Sequence, residues 1–198
     1  MKVQLDKTFP LPSSPAIAWE FLQNIEAVAG CMPGAKLTEK VAENHHKGSV
    51  KVRLGPVTMS FRGEVEVQDV DPAARSLRLL GKGTDSSGSS GVSMNLLARI
   101  DAADDGSCVL VGSSEVSLSG KAVAFGGRMM DAVADKILVQ FADNFAAEVA
   151  ALQEQRSGSA AAGDTAAPAA RAGDLNALAL GWAVFKDWLR GLFTKKTT

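Results

Sequence analysis

The sequence is poor in the residues from which most catalytic and metal sites are built. Its 198 residues include only two histidines and two cysteines. Cys31, in a predicted turn, and Cys108, in a predicted strand, lack the spacing of metal ligands, which favours free thiols in a reducing compartment. His45 and His46 are neighbours on a predicted strand, where successive side chains point to opposite faces. We therefore expect two solvated histidines and neither a metal site nor a catalytic triad.

The sequence also lacks an excess of positive charge and any long apolar run. The formal net charge is −1 and the isoelectric point is near 6.1, which argues against nucleic-acid binding, because phosphate recognition needs a basic surface. The sequence contains no stretch of about 18 uncharged apolar residues, so it predicts no membrane-spanning helix. The N-terminus alternates apolar and polar residues and has no signal-peptide pattern, so we expect the chain to stay where it is made.

Short-period patterns cover the first 120 residues. Apolar residues alternate from Val3 to Leu11, which predicts a strand, and Ser13 or Ser14 is a candidate N-cap for a helix that ends near Ala29–Gly30. From residue 35 to residue 119 the period stays close to two. Such alternation is typical of an antiparallel sheet with one packed face and one solvated face.

After Gly120 the apolar period changes to 3.6. The repeat continues from Met130 to Leu152, which predicts a helix of about 30 residues and about 45 Å. Residues 81–91 are rich in glycine but join two predicted strands, so a mobile hairpin tip beside a cavity mouth is favoured over a phosphate-binding loop. Strand, short helices, sheet and long helix together predict an α+β fold.

A long helix across a curved sheet leaves an apolar space between them. Four of the apolar side chains assigned to its wall are methionines, which adapt to irregular ligands. The alternative is that these side chains fill a solid core. The candidate ligand-binding residues are Met59, Phe61, Leu79, Met94, Leu96, Val116, Leu118, Phe125, Met129, Met130, Val133 and Ile137.

The composition changes abruptly after the long helix. We divide the chain into a domain (1–153), a flexible linker rich in Ala, Gly and Ser (154–173) and an amphipathic helix (174–198). Apolar, interfacial aromatic and flanking basic residues favour a helix lying in the plane of a membrane, although docking on the domain or on a partner helix is the alternative. The candidate membrane-binding residues are Leu178, Trp182, Phe185, Trp188, Leu189, Leu192 and Phe193.

Several motifs in residues 1–150 resemble those of one family. They are GCMPGA at 30–35, GSVKVRLGPV at 48–57, FRG at 61–63, GKGTDSSG at 81–88, and GKAVAFG at 120–126 followed by QF at 140–141. In this order they resemble the carbon monoxide dehydrogenase G-subunit family of the START-like (SRPBCC) helix-grip superfamily. The resemblance implies a curved antiparallel sheet wrapped around a long C-terminal helix, with an apolar cavity.

The same resemblance implies a role and a location. Members are associated with an aerobic molybdenum-flavin carbon monoxide dehydrogenase or a related hydroxylase, as non-enzymatic accessory proteins without a covalently bound cofactor. The implied ligand is a quinone, either menaquinone or ubiquinone, and the implied place is the cytoplasm, peripherally on the inner face of the cell membrane. Two alternatives remain: a recruitment adaptor without a ligand, and a cyclase- or hydratase-type enzyme of the superfamily.

Overall fold

A computed structural model describes residues 1–54 and 57–163. The elements in chain order are β1 Lys2–Leu11, α1 Pro15–Gln23, α2 Ile25–Cys31, β2 Ala35–Ala42, β3 His45–Leu54, β4 Val57–Asp71, β5 Ser76–Asp85, β6 Ser90–Ala102, β7 Cys108–Gly120, a 3-10 helix Lys121–Phe125 and α3 Gly127–Gly163. The seven strands form one antiparallel sheet in the order β1-β7-β6-β5-β4-β3-β2. None of the helices in these residues has the length and apolar composition needed to cross a membrane.

Two short helices replace the single helix predicted after β1. Ser14 caps α1, accepting a hydrogen bond from the backbone N–H of Ile17 at 3.4 Å. Asn24 ends α1 and caps α2, because its Oδ1 accepts from the N–H of Ala27 at 3.1 Å. The second helix, α2, ends at Cys31, within one residue of the predicted end near Ala29–Gly30, and the Cys31 side chain is buried.

The densest packing lies where α1, α2 and the second half of α3 cover the sheet. Phe145 and Val149 of α3 are completely buried, and the ring of Phe145 meets that of Phe21 edge to face at 5.0 Å. The sheet supplies the opposite wall of this core through buried side chains at one end of its inner face. They are Leu11, Leu77, Ile100 and Leu110.

The glycine-rich segment is mostly strand rather than hairpin tip. β5 extends to Asp85 and β6 starts at Ser90, so four residues join them. The carboxylate of Asp85 accepts hydrogen bonds from the hydroxyl of Ser87 at 2.6 Å and the N–H of Ser90 at 2.7 Å. These hydrogen bonds hold the pKa of Asp85 below its ordinary value, and the bond from the Ser87 hydroxyl has the largest effect. Gly63 lies within the adjoining ladder, where a Cβ would clash with the carbonyl oxygen of Lys82.

α3 continues to Gly163, through the first ten residues of the predicted linker. Glutamine, glutamate, arginine and alanine in this stretch favour helix, and one contact within it and one directly before it hold this part of α3 to α1 and its N-cap. Gln153 Oε1 accepts from the N–H of Ser14 at 2.8 Å, and Arg156 forms an ion pair with Glu20. Met1–Ala161 form one compact unit. Residues 164–173 of the predicted linker and the predicted tail helix, 174–198, lie outside the described residues.

Candidate ligand-binding site

The inner face of the sheet is fully packed at one end and only partly covered along the part that follows. In β6, Ile100 is 1% exposed, whereas Met94, on the same face and six residues earlier, is only half-buried. In β7, Leu110 is 4% exposed, whereas Val116 and Leu118 are half-buried. The same strands therefore carry both a packed half and an open half. We call the partly exposed apolar surface of the open half, together with residues 127–140 of α3, the cleft.

α3 shows the same change along its length. Phe145 and Val149 are completely buried, but the apolar side chains of the preceding turns keep part of their surface exposed. The residues concerned are Met130, Val133 and Ile137. Because α1 and α2 pack against the other end of the sheet, they do not shield these turns. The cleft is thus an apolar surface that the rest of the domain covers only in part.

The structure separates the twelve predicted wall residues into three groups. Leu79 is buried and belongs to the packed core, and Met94 and Leu96 pack against that core. Met129 is 40% exposed and lies at the surface. The remaining eight are half-buried around the cleft: Met59, Phe61, Val116, Leu118, Phe125, Met130, Val133 and Ile137.

The strand register adds two residues that the sequence prediction omitted. Val52 is paired with Met59 and Val50 with Phe61, so all four side chains share one face of the sheet. Both valines are half-buried. Their alternation with Lys51 and Arg53 was visible in the sequence, but only the register of β3 against β4 places them beside the cleft.

An ion pair links the two walls of the cleft on the β1 side. Lys7 Nζ lies 2.7 Å from the Asp135 carboxylate, joining β1 to the first half of α3. Lys7 occupies an inward-facing position of β1, between Leu5 and Phe9. The spacing of Asp131 and Asp135, four residues apart on α3, is typical of a solvated helix face. Asp135 is indeed 57% exposed, but it also ties the helix to the sheet.

The segment between β7 and α3 borders the end of the cleft. Gly120 has a φ of 68°, and a Cβ there would clash with the carbonyl oxygen of Ser89, so this position requires glycine. The buried hydroxyl of Ser90 then accepts a hydrogen bond from the N–H of Ala122 at 3.0 Å. The 3-10 helix is therefore fixed to the β5–β6 connection at its start. It precedes Gly126, which also has a positive φ, of 74°.

Two pockets lie near α1 and α2, and neither is lined by a predicted wall residue. One, of about 400 Å³, lies between the α1–α2 junction and the β2–β3 hairpin. The other, of about 290 Å³, lies between α1, the start of α2 and the end of α3. The larger pocket includes Glu26, Lys40 and His46.

His46 is buried, which corrects the prediction of two solvated histidines. Its side chain is 4% exposed, and neither ring nitrogen has a hydrogen-bond partner among the described residues. Nε2 is 3.8 Å from Glu26 Oε1, too far for a hydrogen bond. His45 is partly exposed and lies 3.1 Å from Glu64 Oε2. The alternation of the strand was right, but the cover that α2 provides over β3 could not be inferred from it.

Replacing His46 with leucine is expected to raise the free energy of unfolding by about 1 kcal/mol, because it removes two buried polar atoms that lack partners in the described part of the chain. Urea unfolding followed by circular dichroism measures the change. His45→Leu is the matched control and is expected to give no gain, since it removes a histidine paired with Glu64. A loss of stability in His46→Leu would show that the ring nitrogens of His46 are satisfied, for example by a bound water.

The thiols and the acidic residues offer no metal site in the part of the chain that is described. Cys31 and Cys108 are both buried, and burial raises the pKa of each thiol. Cys31 was expected in a turn, but it lies at the end of α2. Within residues 1–54 and 57–163, no three His, Cys, Asp or Glu side chains are grouped to hold a metal ion.

Solved structures share this fold at low sequence identity. A conserved protein from Geobacillus kaustophilus superposes with a TM-score of 0.67 at 22% identity, covering 75% of this chain and 95% of that one. The Zhui aromatase/cyclase from Streptomyces sp. R1128 gives 0.56 at 16%, covering 79% and 96%. A START superfamily protein from Mycobacterium smegmatis gives 0.52 at 14%, covering 75% and 98%. The predicted START-like helix-grip fold is thereby confirmed.

A family comparison covers most of the domain. No curated protein matches the sequence significantly. The family model for the G subunit of carbon monoxide dehydrogenase (CoxG) matches residues 8–150, which is more than half of the chain. The matched region includes all the motifs on which the resemblance depended, together with every strand of the sheet except the start of β1. The chain therefore belongs to the CoxG family, that of the carbon monoxide dehydrogenase G subunits.

Proposed function

We propose that this protein is a non-enzymatic accessory subunit that binds an apolar ligand in the cleft and holds it for a membrane-associated molybdenum hydroxylase. The family name supports an aerobic carbon monoxide dehydrogenase as the partner, and a related hydroxylase is the broader class. The single observation that carries the ligand proposal is the loss of burial along β6, β7 and α3. It leaves apolar side chains partly exposed on both walls of the cleft.

The side chains of the cleft favour an apolar ligand that is partly planar, and they can adapt to ligands of different shapes. Aromatic and aliphatic side chains dominate, and the methionines at 59 and 130 can repack around different ligands. The eight half-buried wall residues include no titratable group. A quinone, menaquinone or ubiquinone, meets these requirements, since its ring and isoprenoid chain would cover the exposed methionine, valine and phenylalanine surface.

Purification of the full-length protein followed by solvent extraction and native mass spectrometry tests the ligand proposal. A quinone or another apolar molecule in stoichiometric amount would support it. Repeated recovery of ligand-free protein that still captures the dehydrogenase would favour the alternative of a pure recruitment adaptor. Turnover of a small aromatic substrate by the purified protein would instead favour an enzyme, a role that the name of one structural neighbour, an aromatase/cyclase, associates with this fold.

Membrane attachment is assigned to residues 174–198 from the sequence pattern. Leu178, Trp182 and Phe185 are spaced for one apolar helical face, and Lys195 and Lys196 follow it. Lys186, Asp187 and Arg190 would each cost about 2.5–3.5 kcal/mol near a bilayer centre, which favours an in-plane helix over a spanning one. The inner face of the cell membrane is the proposed location.

Truncation after Gly163 is expected to lower vesicle binding by at least about tenfold, because it removes the apolar helical face and its flanking lysines. The truncated chain keeps every described residue, so its folding can be checked by circular dichroism. Co-sedimentation with vesicles of phosphatidylcholine and phosphatidylglycerol measures the loss. Equal binding by the full-length and truncated chains would contradict attachment through the tail.

A further inference from the structure

The segment from Lys121 to Met129, which we call the rim segment, exposes apolar side chains at the end of the cleft. Val123 is 37% exposed, Met129 is 40% exposed, and Ala124 is exposed between them. The rim segment follows Val116 and Leu118 of β7 and precedes Met130 and Val133 of α3, all of which border the cleft. A ligand that enters or leaves this end of the cleft must pass it.

Hydrogen bonds hold the start of the rim segment to the sheet, and the residues that follow expose their side chains. The N–H of Lys121 donates to the carbonyl oxygen of Ser89 at 3.0 Å, and the N–H of Ala122 donates to Ser90 Oγ at 3.0 Å. Ala122 is buried, whereas the next two residues are exposed. The exposed valine is thus not the end of a fraying loop, because its neighbour is anchored in the fold.

The charge of the rim segment has one sign. Lys121 and Arg128 are exposed, and residues 119–130 contain no acidic residue, although the chain as a whole has a net charge of −1. Exposed apolar side chains flanked by cations are the pattern that binds at an anionic bilayer surface, where the apolar groups insert and the cations meet lipid phosphates. A protein partner would need an acidic, apolar surface of matching shape, and nothing in the segment specifies one.

We propose that the rim segment is a second membrane-contact site that docks the mouth of the cleft on an anionic phospholipid surface, with Val123 and Met129 inserted and Lys121 and Arg128 at the phosphates. This inference rests on the proposed function, since it gives an apolar ligand a path from bilayer to cleft. The tail keeps the protein at the membrane, and the rim segment orients the cleft towards the lipid. Its role is therefore contact and orientation rather than attachment.

A polarity-sensitive fluorophore at a single cysteine tests the inference in the full-length chain. Ala124→Cys places the label on the rim segment, and Val139→Cys places it at a site of α3 that is 57% exposed. Cys31 and Cys108 are buried, so a thiol reagent reacts preferentially with the introduced residue. Both chains keep the tail and are expected to co-sediment equally with vesicles that contain about one third phosphatidylglycerol.

With these vesicles, the emission of the label at position 124 is expected to shift to the blue and to rise by about twofold or more, whereas the label at 139 changes little. Adding Lys121→Glu and Arg128→Glu to the Ala124→Cys chain is expected to remove most of this response without abolishing co-sedimentation. Both results would support the proposal.

Other outcomes would overturn it. Equal responses at 124 and 139, or a response at 124 that survives both charge reversals, would show that the rim segment makes no specific contact with anionic lipid. If both labelled chains sediment while position 124 stays polar, this inference fails and the attachment through the tail stands. If neither chain sediments, the proposed attachment fails, and an unchanged emission at 124 overturns the inference as well.

Discussion

Replacing Phe145 with alanine is expected to lower the free energy of unfolding by about 3–5 kcal/mol, a large share of the stability of a domain of this size. Phe145 is completely buried and its ring meets both Phe21 of α1 and Phe141 of α3. Alanine would leave the volume of the phenyl ring empty, so the loss of stability combines lost apolar burial with the cost of a cavity. Urea unfolding at several temperatures measures the effect.

Val139→Ala is the control for this prediction. Val139 belongs to the same helix but is 57% exposed, so its truncation is expected to change the free energy of unfolding by less than about 0.5 kcal/mol. Similar losses in the two variants would contradict the conclusion that the second half of α3 forms the packed core.

Introducing a charge on the α3 wall of the cleft is expected to lower the affinity for an apolar ligand by at least about tenfold. Val133→Asp places a carboxylate at a half-buried position of that wall. A bound ligand would have to desolvate this carboxylate without supplying a hydrogen-bond donor, and about 1.4 kcal/mol of that cost corresponds to a tenfold loss. Titration with a short-chain ubiquinone, followed by displacement of a neutral fluorescent dye, measures the affinity.

The same charge on the outer side of α3 is the matched control. Val139→Asp changes the same residue type on the same helix at an exposed site, and we expect it to keep the affinity of the unchanged protein. Unfolding curves of the two variants separate a loss of binding from a loss of folding. Comparable affinities in the two variants would show that the ligand is not bound in the cleft.

Local patterns predicted most of the elements because each depends on neighbouring residues. The alternation at Val3–Leu11 predicted β1, and the 3.6-residue period after Gly120 predicted α3. Ser14 is a predictable cap because its side chain accepts a hydrogen bond from a backbone N–H only three residues away. The single first helix was wrong for a similar local reason. Asn24 has a moderate helix propensity and was not recognised as a cap within an otherwise helical stretch.

Strand alternation predicts which way a side chain faces but not what covers it. Alternation correctly placed Met59 and Phe61 on the inner face, but it assigned the same environment to Leu79, which belongs to the packed core. Leu79 differs from Met59 and Phe61 in how completely the rest of the domain covers it. Contacts between residues far apart in sequence, such as Lys7 with Asp135, set that arrangement, and no local pattern contains them.

The sequence by itself determined the α+β class, the inward and outward faces of the strands, the long helix and the family. These follow from periods of two and 3.6 and from motifs that are contiguous in the chain. Only the tertiary structure decided that His46 is buried, that Val50 and Val52 lie beside the cleft, and that one half of the inner face stays open. The physical reason is that burial depends on what covers a side chain, and here the cover comes from helices encoded elsewhere in the sequence.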